Sequence, residues 1–206
     1  FNIETMFVGP LERICMEWGV GSYKPHSFSD LGNVALKMKP NKIAFSATPP
    51  DKDGYMNKSC FGSFLPKKEG LQPADVVICE VNRHLPWCCG DDFKVHISEV
   101  DYIIENDNPL FELPEIPITD VENKLAEFIV DLIPDGATIQ LGFGGLGNAI
   151  GHMLHHKKDL GMHSEVVTPS VTELVKAGVL TCSKKNFFPG KIITAFAVGT
   201  KQFYED

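Results

Sequence analysis

The sequence predicts an α/β protein made of two open α/β domains with mostly parallel sheets, the second incomplete. Three observations carry this. Short apolar runs alternate with segments of helical period, the order that feeds a parallel, doubly wound sheet. A stretch with three prolines, Asn106 to Ile118, reads as an extended linker and divides residues 1–105 from 119–206. A glycine run, Gly142-Phe143-Gly144-Gly145-Leu146-Gly147, stands between an apolar strand and the first turns of a helix.

The elements follow in order. Ile3 to Val8 reads as a strand and Leu11 to Trp18 as a short helix. Lys42 to Ala47 is a buried strand, and Thr48-Pro-Pro-Asp-Lys-Asp-Gly-Tyr55 a rigid turn. Asp75 to Val81, apolar and β-branched, is a central strand, followed by an extended loop on its carboxyl side where ligands sit in open α/β sheets. Val95 to Glu105 mixes apolar and acidic residues. After the linker, Thr119-Asp120 caps a helix with Val121, Leu125, Phe128, Ile129 and Leu132 at helical spacing, stopped by Pro134-Asp-Gly136. Ala137 to Leu141 is a strand, then come the glycines and a helix from Asn148. Met162 to Thr168 is the next strand, Ser170 to Gly178 a helix ending in glycine, and Lys191 to Val198 a third strand. The chain ends at Asp206, which leaves the second sheet short of strands.

Composition narrows the function. A hydrophobic content of 43% with 22% charged residues is that of a globular protein. No apolar run is long enough to span a membrane, and no secretory leader opens the chain, which begins at Phe1 rather than Met. A net charge of −8 argues against nucleic-acid binding. From Asp120 onward ten acidic residues face eight lysines, so the second part is the better host for a polyanion. Its candidate cations are Lys157, Lys158, Lys184, Lys185, Lys191 and Lys201. Six scattered cysteines without a zinc spacing read as free thiols of a reducing cytoplasm.

The glycine run has three readings. It can serve only a tight turn and close helix packing. It can be a dinucleotide fingerprint, since Gly142, Gly144 and Gly147 match G-x-G-x-x-G and Glu165 follows at a suitable distance. Against that, Glu165 precedes Val166-Val167 instead of ending the second strand. Third, it can cradle an oxyanion and thioester on backbone N–H groups of Gly144 to Gly147, beside a carboxylate nucleophile at Glu165.

A resemblance bears on that choice. Ala137 through Ile150, then Lys158-Asp-Leu-Gly-Met-His-Ser-Glu165, Leu174 to Leu180, and Pro189-Gly-Lys-Ile through Tyr204 resemble the acetyl-CoA hydrolase/transferase family, near its 4-hydroxybutyrate and butyryl-CoA:acetate CoA-transferases. Ser46 to Tyr55, Ala74 to Asn82 and His96 to Glu105 are similar to that family's amino-terminal domain, in the same order. The resemblance implies a CoA-transferase (NagB-RpiA-like) fold. It implies coenzyme A as co-substrate with no other cofactor and no metal, a short carboxylate as second substrate, and a homo-oligomer in the cytoplasm. Carried over, Gly142, Phe143, Gly144, Gly145 and Leu146 contact coenzyme A. Glu165 is the nucleophile, and the N–H groups of Gly145, Leu146 and Gly147 form the oxyanion hole. Residues 1–105 are then part of the amino-terminal domain, and 119–206 the start of the carboxyl-terminal one. The family's chains run beyond both ends of this one, so an incomplete CoA site is expected. Two departures stand out: Gly147 replaces a usual proline, and Thr168-Pro169-Ser170 a usual Ser-Asp-Gly.

Other residues have competing readings. His152 and His156 are spaced as a metal pair or lie on a solvated face. His163 packs at the strand entry or tunes Glu165. Asn82 and His96 line a carboxylate pocket or make buried hydrogen bonds. Trp87 and Cys88-Cys89 read as packing.

Overall fold

Two parallel three-stranded sheets carry the fold in the computed structural model, which describes residues 2–64 and 74–206, the side chains of 35, 36, 63, 64 and 91 aside. The first sheet has β5 (Val76–Val81) between β3 (Lys42–Ala47) and β7 (Tyr102–Glu105). Alternation in β3 and β5 turns Ile43, Phe45, Ala47, Val77, Cys79 and Val81 into one core. Met56 and Val95 close it from an antiparallel ribbon, β4 (Tyr55–Asn57) with β6 (Lys94–His96). A small parallel pair, β1 (Ile3–Thr5) with β2 (Gly21–Tyr23), flanks α1 (Pro10–Glu17), and α2 (Leu31–Met38) precedes β3.

The second sheet has β9 (Gly161–Val167) between β8 (Thr138–Ile139) and β10 (Ile193–Ala197). Helices α3 (Asp120–Asp131) and α5 (Pro169–Lys176) supply Val130, Val171 and Leu174 to a core with Leu141, Leu154, Leu160 and Met162, and α4 (Gly145–Met153) packs Ile150 and Met153 against it. A last helix, α6 (Lys201–Glu205), ends the fold. No helix among the described residues is long and apolar enough to cross a membrane.

The linker between the sheets is tied down. Leu113 N–H donates to the Gly199 carbonyl at 2.9 Å, and Lys201 N–H to the Glu112 carboxylate at 2.8 Å. The Tyr204 hydroxyl donates to the Phe111 carbonyl at 3.0 Å. The 3-10 turn Ser59–Phe64 packs against β10, joining the first half of the chain to the second.

Several elements differ from expectation for local reasons. The first strand stops at Thr5, whose hydroxyl turns the chain by donating to the Phe7 carbonyl at 2.5 Å. Val95 to Glu105 is two strands separated by a 3-10 turn, Ile97–Glu99, which His96 caps by accepting the Ser98 N–H. The largest difference lies in α3. Its stripe of large apolar residues faces outward, with Val121 67%, Phe128 72% and Leu132 81% exposed and Leu125 also exposed. The buried positions are Ala126 and Val130, because α3 meets the glycine-rich start of α4, where small side chains allow the closest approach.

Candidate active site

The glycine loop begins where β8 ends and becomes the first turn of α4. Gly144 is the N-cap at φ 114, in the left-handed region, and its carbonyl accepts the Asn148 N–H at 3.1 Å. A Cβ placed on Gly142 or Gly144 would meet nothing within 4 Å, so this stretch of main chain is open to a ligand. The other two glycines serve packing. A Cβ on Gly145 would run into the Glu122 carboxylate, and one on Gly147 into the Gly142 carbonyl oxygen. The proline that the family resemblance leads one to expect at 147 has no room against that carbonyl.

Glu122 is a residue the motif reading passed over. It completes a capping box on α3: its carboxylate accepts the Thr119 N–H and hydroxyl, both at 2.7 Å, while Thr119 Oγ1 accepts the Glu122 N–H at 3.3 Å. The Leu146 N–H of α4 also lies near this carboxylate. The Thr119 N–H above all, then the Thr119 hydroxyl and the Leu146 N–H, hold its carboxyl below the ordinary range. Gly145, Leu146 and Gly147 form the first turn of α4, and the Leu146 N–H also faces this carboxylate. The sequence signal was Thr119-x-x-Glu122 itself.

Glu165 stands on β9, beside the strand that feeds the loop. The β8–β9 register pairs Thr138 with Gly161 and Ile139 with Met162. Ser164 Oγ extends it by donating to the Leu141 carbonyl at 3.0 Å. β8 ends at Ile139, and the Ser164 bond holds the residue before Glu165 against the residue before Gly142. Met162, Ser164 and Val166 are buried toward the helices, so Glu165 and His163 project from the opposite face, exposed. Thr194 Oγ1 braces the position by donating to the Glu165 carbonyl at 3.1 Å. His163 stacks on Phe187 at 6.0 Å and 11°.

Phe143 stacks on Phe196 of β10 at 5.9 Å and 29°, pinning the tip of the loop over the sheet. A narrow cleft of ≈ 20 Å³ lies there, lined by Phe143, Gly144 and Asn148, by Thr168, Pro169 and Val198, and by linker residues 113–116. The departures at 168–170 have structural roles: Pro169 opens α5, and Ser170 packs where a Cβ on Gly151 would strike its Oγ, locking α5 to α4. A larger cavity of ≈ 480 Å³ opens between the halves, with Arg83, His84, Lys201 and Tyr204 among its lining residues. Glu165 lines neither. Arg83 is ion-paired with Asp107.

The remaining candidates divide. Asn82 is buried and builds the loop, donating to the Asn108 carbonyl at 2.8 Å and accepting the His84 N–H at 2.8 Å. His96 bonds Ser98 at 2.7 Å and packs on Tyr55. His152 faces Glu115 at 3.6 Å and Glu173 at 3.3 Å, and no group of three or more metal-type ligands exists among the described residues. Three of the six lysines have partners, Lys201 with Glu205 at 3.8 Å among them. Lys185 is buried, donating to the carbonyls of Met162 and Lys191 at 2.8 and 2.7 Å, and Lys184 pairs with Asp159 at 3.0 Å. Cys88 is in hydrogen-bond contact with the Cys60 thiol, which packing alone did not anticipate.

Residues 1–113 match the family model described as acetyl-CoA hydrolase/transferase N-terminal domain. The chain belongs to that family. Its relatives in the family include the 4-hydroxybutyrate coenzyme A transferase of Clostridium kluyveri, 38% identical over 100% of this chain and 48% of that protein. The butyryl-CoA:acetate CoA-transferase of Anaerostipes caccae is 37% identical over 100% of this chain and 47% of that protein. Among solved structures, RipA from Yersinia pestis superposes with a TM-score of 0.91 at 32% identity, covering 98% of this chain and 49% of that one. The 4-hydroxybutyrate CoA-transferase from Porphyromonas gingivalis gives a TM-score of 0.83 at 26% identity, covering 99% and 54%. The chain spans about half the length of the curated relatives it matches.

Proposed function

We propose that this protein is an acyl-CoA:carboxylate CoA-transferase, moving coenzyme A between a short-chain acyl-CoA of the butyryl or 4-hydroxybutyryl type and acetate. The observation that supports the reading is the Ser164–Leu141 hydrogen bond, which holds the residues just before Glu165 and Gly142 together beside an open main-chain loop. The names of the relatives support the substrate class. The Glu165 carboxylate attacks the thioester carbonyl, the C–S bond breaks, and a mixed anhydride and CoA thiolate result. The thiolate then attacks the glutamyl carbonyl and releases the first carboxylate, leaving a glutamyl-CoA thioester. The second carboxylate runs these steps in reverse, so the kinetics are ping-pong. The N–H groups of Gly145, Leu146 and Gly147 are the donors for the transient oxyanion in this reading. Coenzyme A enters as co-substrate, with no other cofactor. The working protein is a cytoplasmic homo-oligomer.

Borohydride reduction during incubation with butyryl-CoA, followed by peptide mass analysis, is expected to mark Glu165. Glu165→Gln is expected to abolish both labelling and exchange. Undiminished exchange by that variant rejects the nucleophile. Product formation without acetate would instead assign hydrolysis, the other activity in the family's description.

A further inference from the structure

Two thiols outside the catalytic proposal meet across distant segments. Cys60 lies on the 3-10 turn Ser59–Phe64, and Cys88 on the loop after β5. Asn57 clamps the segments: its Nδ2 donates to the Cys88 carbonyl at 2.9 Å, and its Oδ1 accepts the Cys88 N–H at 3.1 Å. Ser59 Oγ adds a bond to the Pro86 carbonyl at 2.6 Å. So held, the Cys60 and Cys88 thiols lie beside each other, and Ser59 Oγ lies 3.7 Å from Cys60 Sγ. Both cysteines are free.

The two sulfurs are not equivalent. The hydrogen bond from Cys88, and after it the Ser59 hydroxyl, pull the Cys60 thiol below its ordinary range despite burial. That same bond, with burial, pushes Cys88 up. Cys60 is therefore the thiolate partner and Cys88 the proton holder, the division between attacking and resolving cysteines in thiol redox sites. Cys60 is only 4% exposed, whereas Cys88 is half-buried and Cys89 exposed.

We propose that Cys60 and Cys88 are a hydroperoxide-responsive pair that closes to a disulfide. The Cys60 thiolate attacks one oxygen of a hydroperoxide, the O–O bond breaks, the alkoxide leaves as alcohol after protonation, and Cys60 becomes a sulfenic acid. Cys88 sulfur attacks Cys60 sulfur, the S–O bond breaks, and the departing hydroxide takes the Cys88 proton as water. Two thiols are oxidised to one disulfide while the hydroperoxide is reduced to alcohol and water. The bond would tie the loop that carries Arg83 and His84 into the larger cavity to the turn that packs on β10.

The test treats the reduced full chain with hydrogen peroxide and maps unreduced peptides by mass. The expected product joins the Cys60 and Cys88 peptides, with two free thiols lost and both regained with dithiothreitol. Cys89→Ser is expected to keep the cross-link. Cys88→Ser is expected to lose it and to leave a dimedone-reactive sulfenic acid on Cys60. A cross-link through Cys89, oxygen on Cys88 with Cys60 untouched, or no thiol loss under peroxide that oxidises an unfolded sample of the same chain overturns the proposal. Because the parent map and Cys88→Ser decide the matter, a misfolded Cys60→Ser does not rescue it.

Discussion

Gly142 and Gly147 lie in one loop, yet alanine at each is expected to act in opposite directions. At Gly147 the new methyl runs into the Gly142 carbonyl oxygen, which cannot rotate out of the way as a side chain would. Alanine's better helix propensity returns about 1 kcal/mol at most. Overpacking against fixed structure costs roughly 1–3 kcal/mol, and a backbone contact lies at the upper end. The net expectation is a loss of about 1–2 kcal/mol, or roughly 2–8 °C in Tm for a chain of this size. At Gly142 the methyl meets nothing within 4 Å, and no left-handed φ opposes it. There alanine stiffens the unfolded chain and stabilises by about 0.4–1 kcal/mol. Its effect is instead on ligand approach: a methyl between main chain and coenzyme A is expected to weaken binding about tenfold, near 1.4 kcal/mol. Circular-dichroism melts and calorimetric titration with coenzyme A measure the two quantities. A Gly147→Ala melt at or above the parent's refutes the packing argument. Unchanged coenzyme A affinity in Gly142→Ala refutes the open-cradle reading.

Other expectations follow from single contacts. Thr119→Ala removes the α3 cap and should lower unfolding free energy by about 1 kcal/mol in urea titration. Leu174→Ala empties a fully buried site in the second core and should cost about 2–5 kcal/mol by the same assay. Lys185→Met leaves the Met162 and Lys191 carbonyls without their donor; a loss of about 2–3 kcal/mol is expected, and parental stability would show those bonds to be idle. Acid sensitivity should centre on Glu122, Asp159 and Asp206, held below the ordinary carboxylate range by Thr119, Lys184 and Lys176 respectively. The unfolded chain takes up these protons first, so their stabilisation is whole above about pH 4.5 and is lost as the pH falls through the lower folded values. Urea midpoints measured down to about pH 3 should fall, less steeply in Glu122→Gln; a flat profile contradicts the assignment.

Local chemistry was strong enough for the sequence alone to determine much of this protein. The alternation in Lys42–Ala47, the cap at Thr119 and the break at Gly178, φ +70, are properties of a few adjacent residues, and each is where the sequence predicted. So is the passage from an apolar segment through glycines into a helix, and with it the loop of the candidate site. Tertiary packing decided what periodicity cannot express. Helical spacing marks Val121, Leu125, Phe128 and Leu132 as one stripe but does not say which stripe meets a neighbour; the glycines of α4 selected Ala126 and Val130. The approach of the Glu122 carboxylate to the Leu146 N–H was illegible too, since the two belong to different helices. The bond that holds Ser164, and with it Glu165, beside the entry to the glycine loop is a relation between segments that no single segment carries.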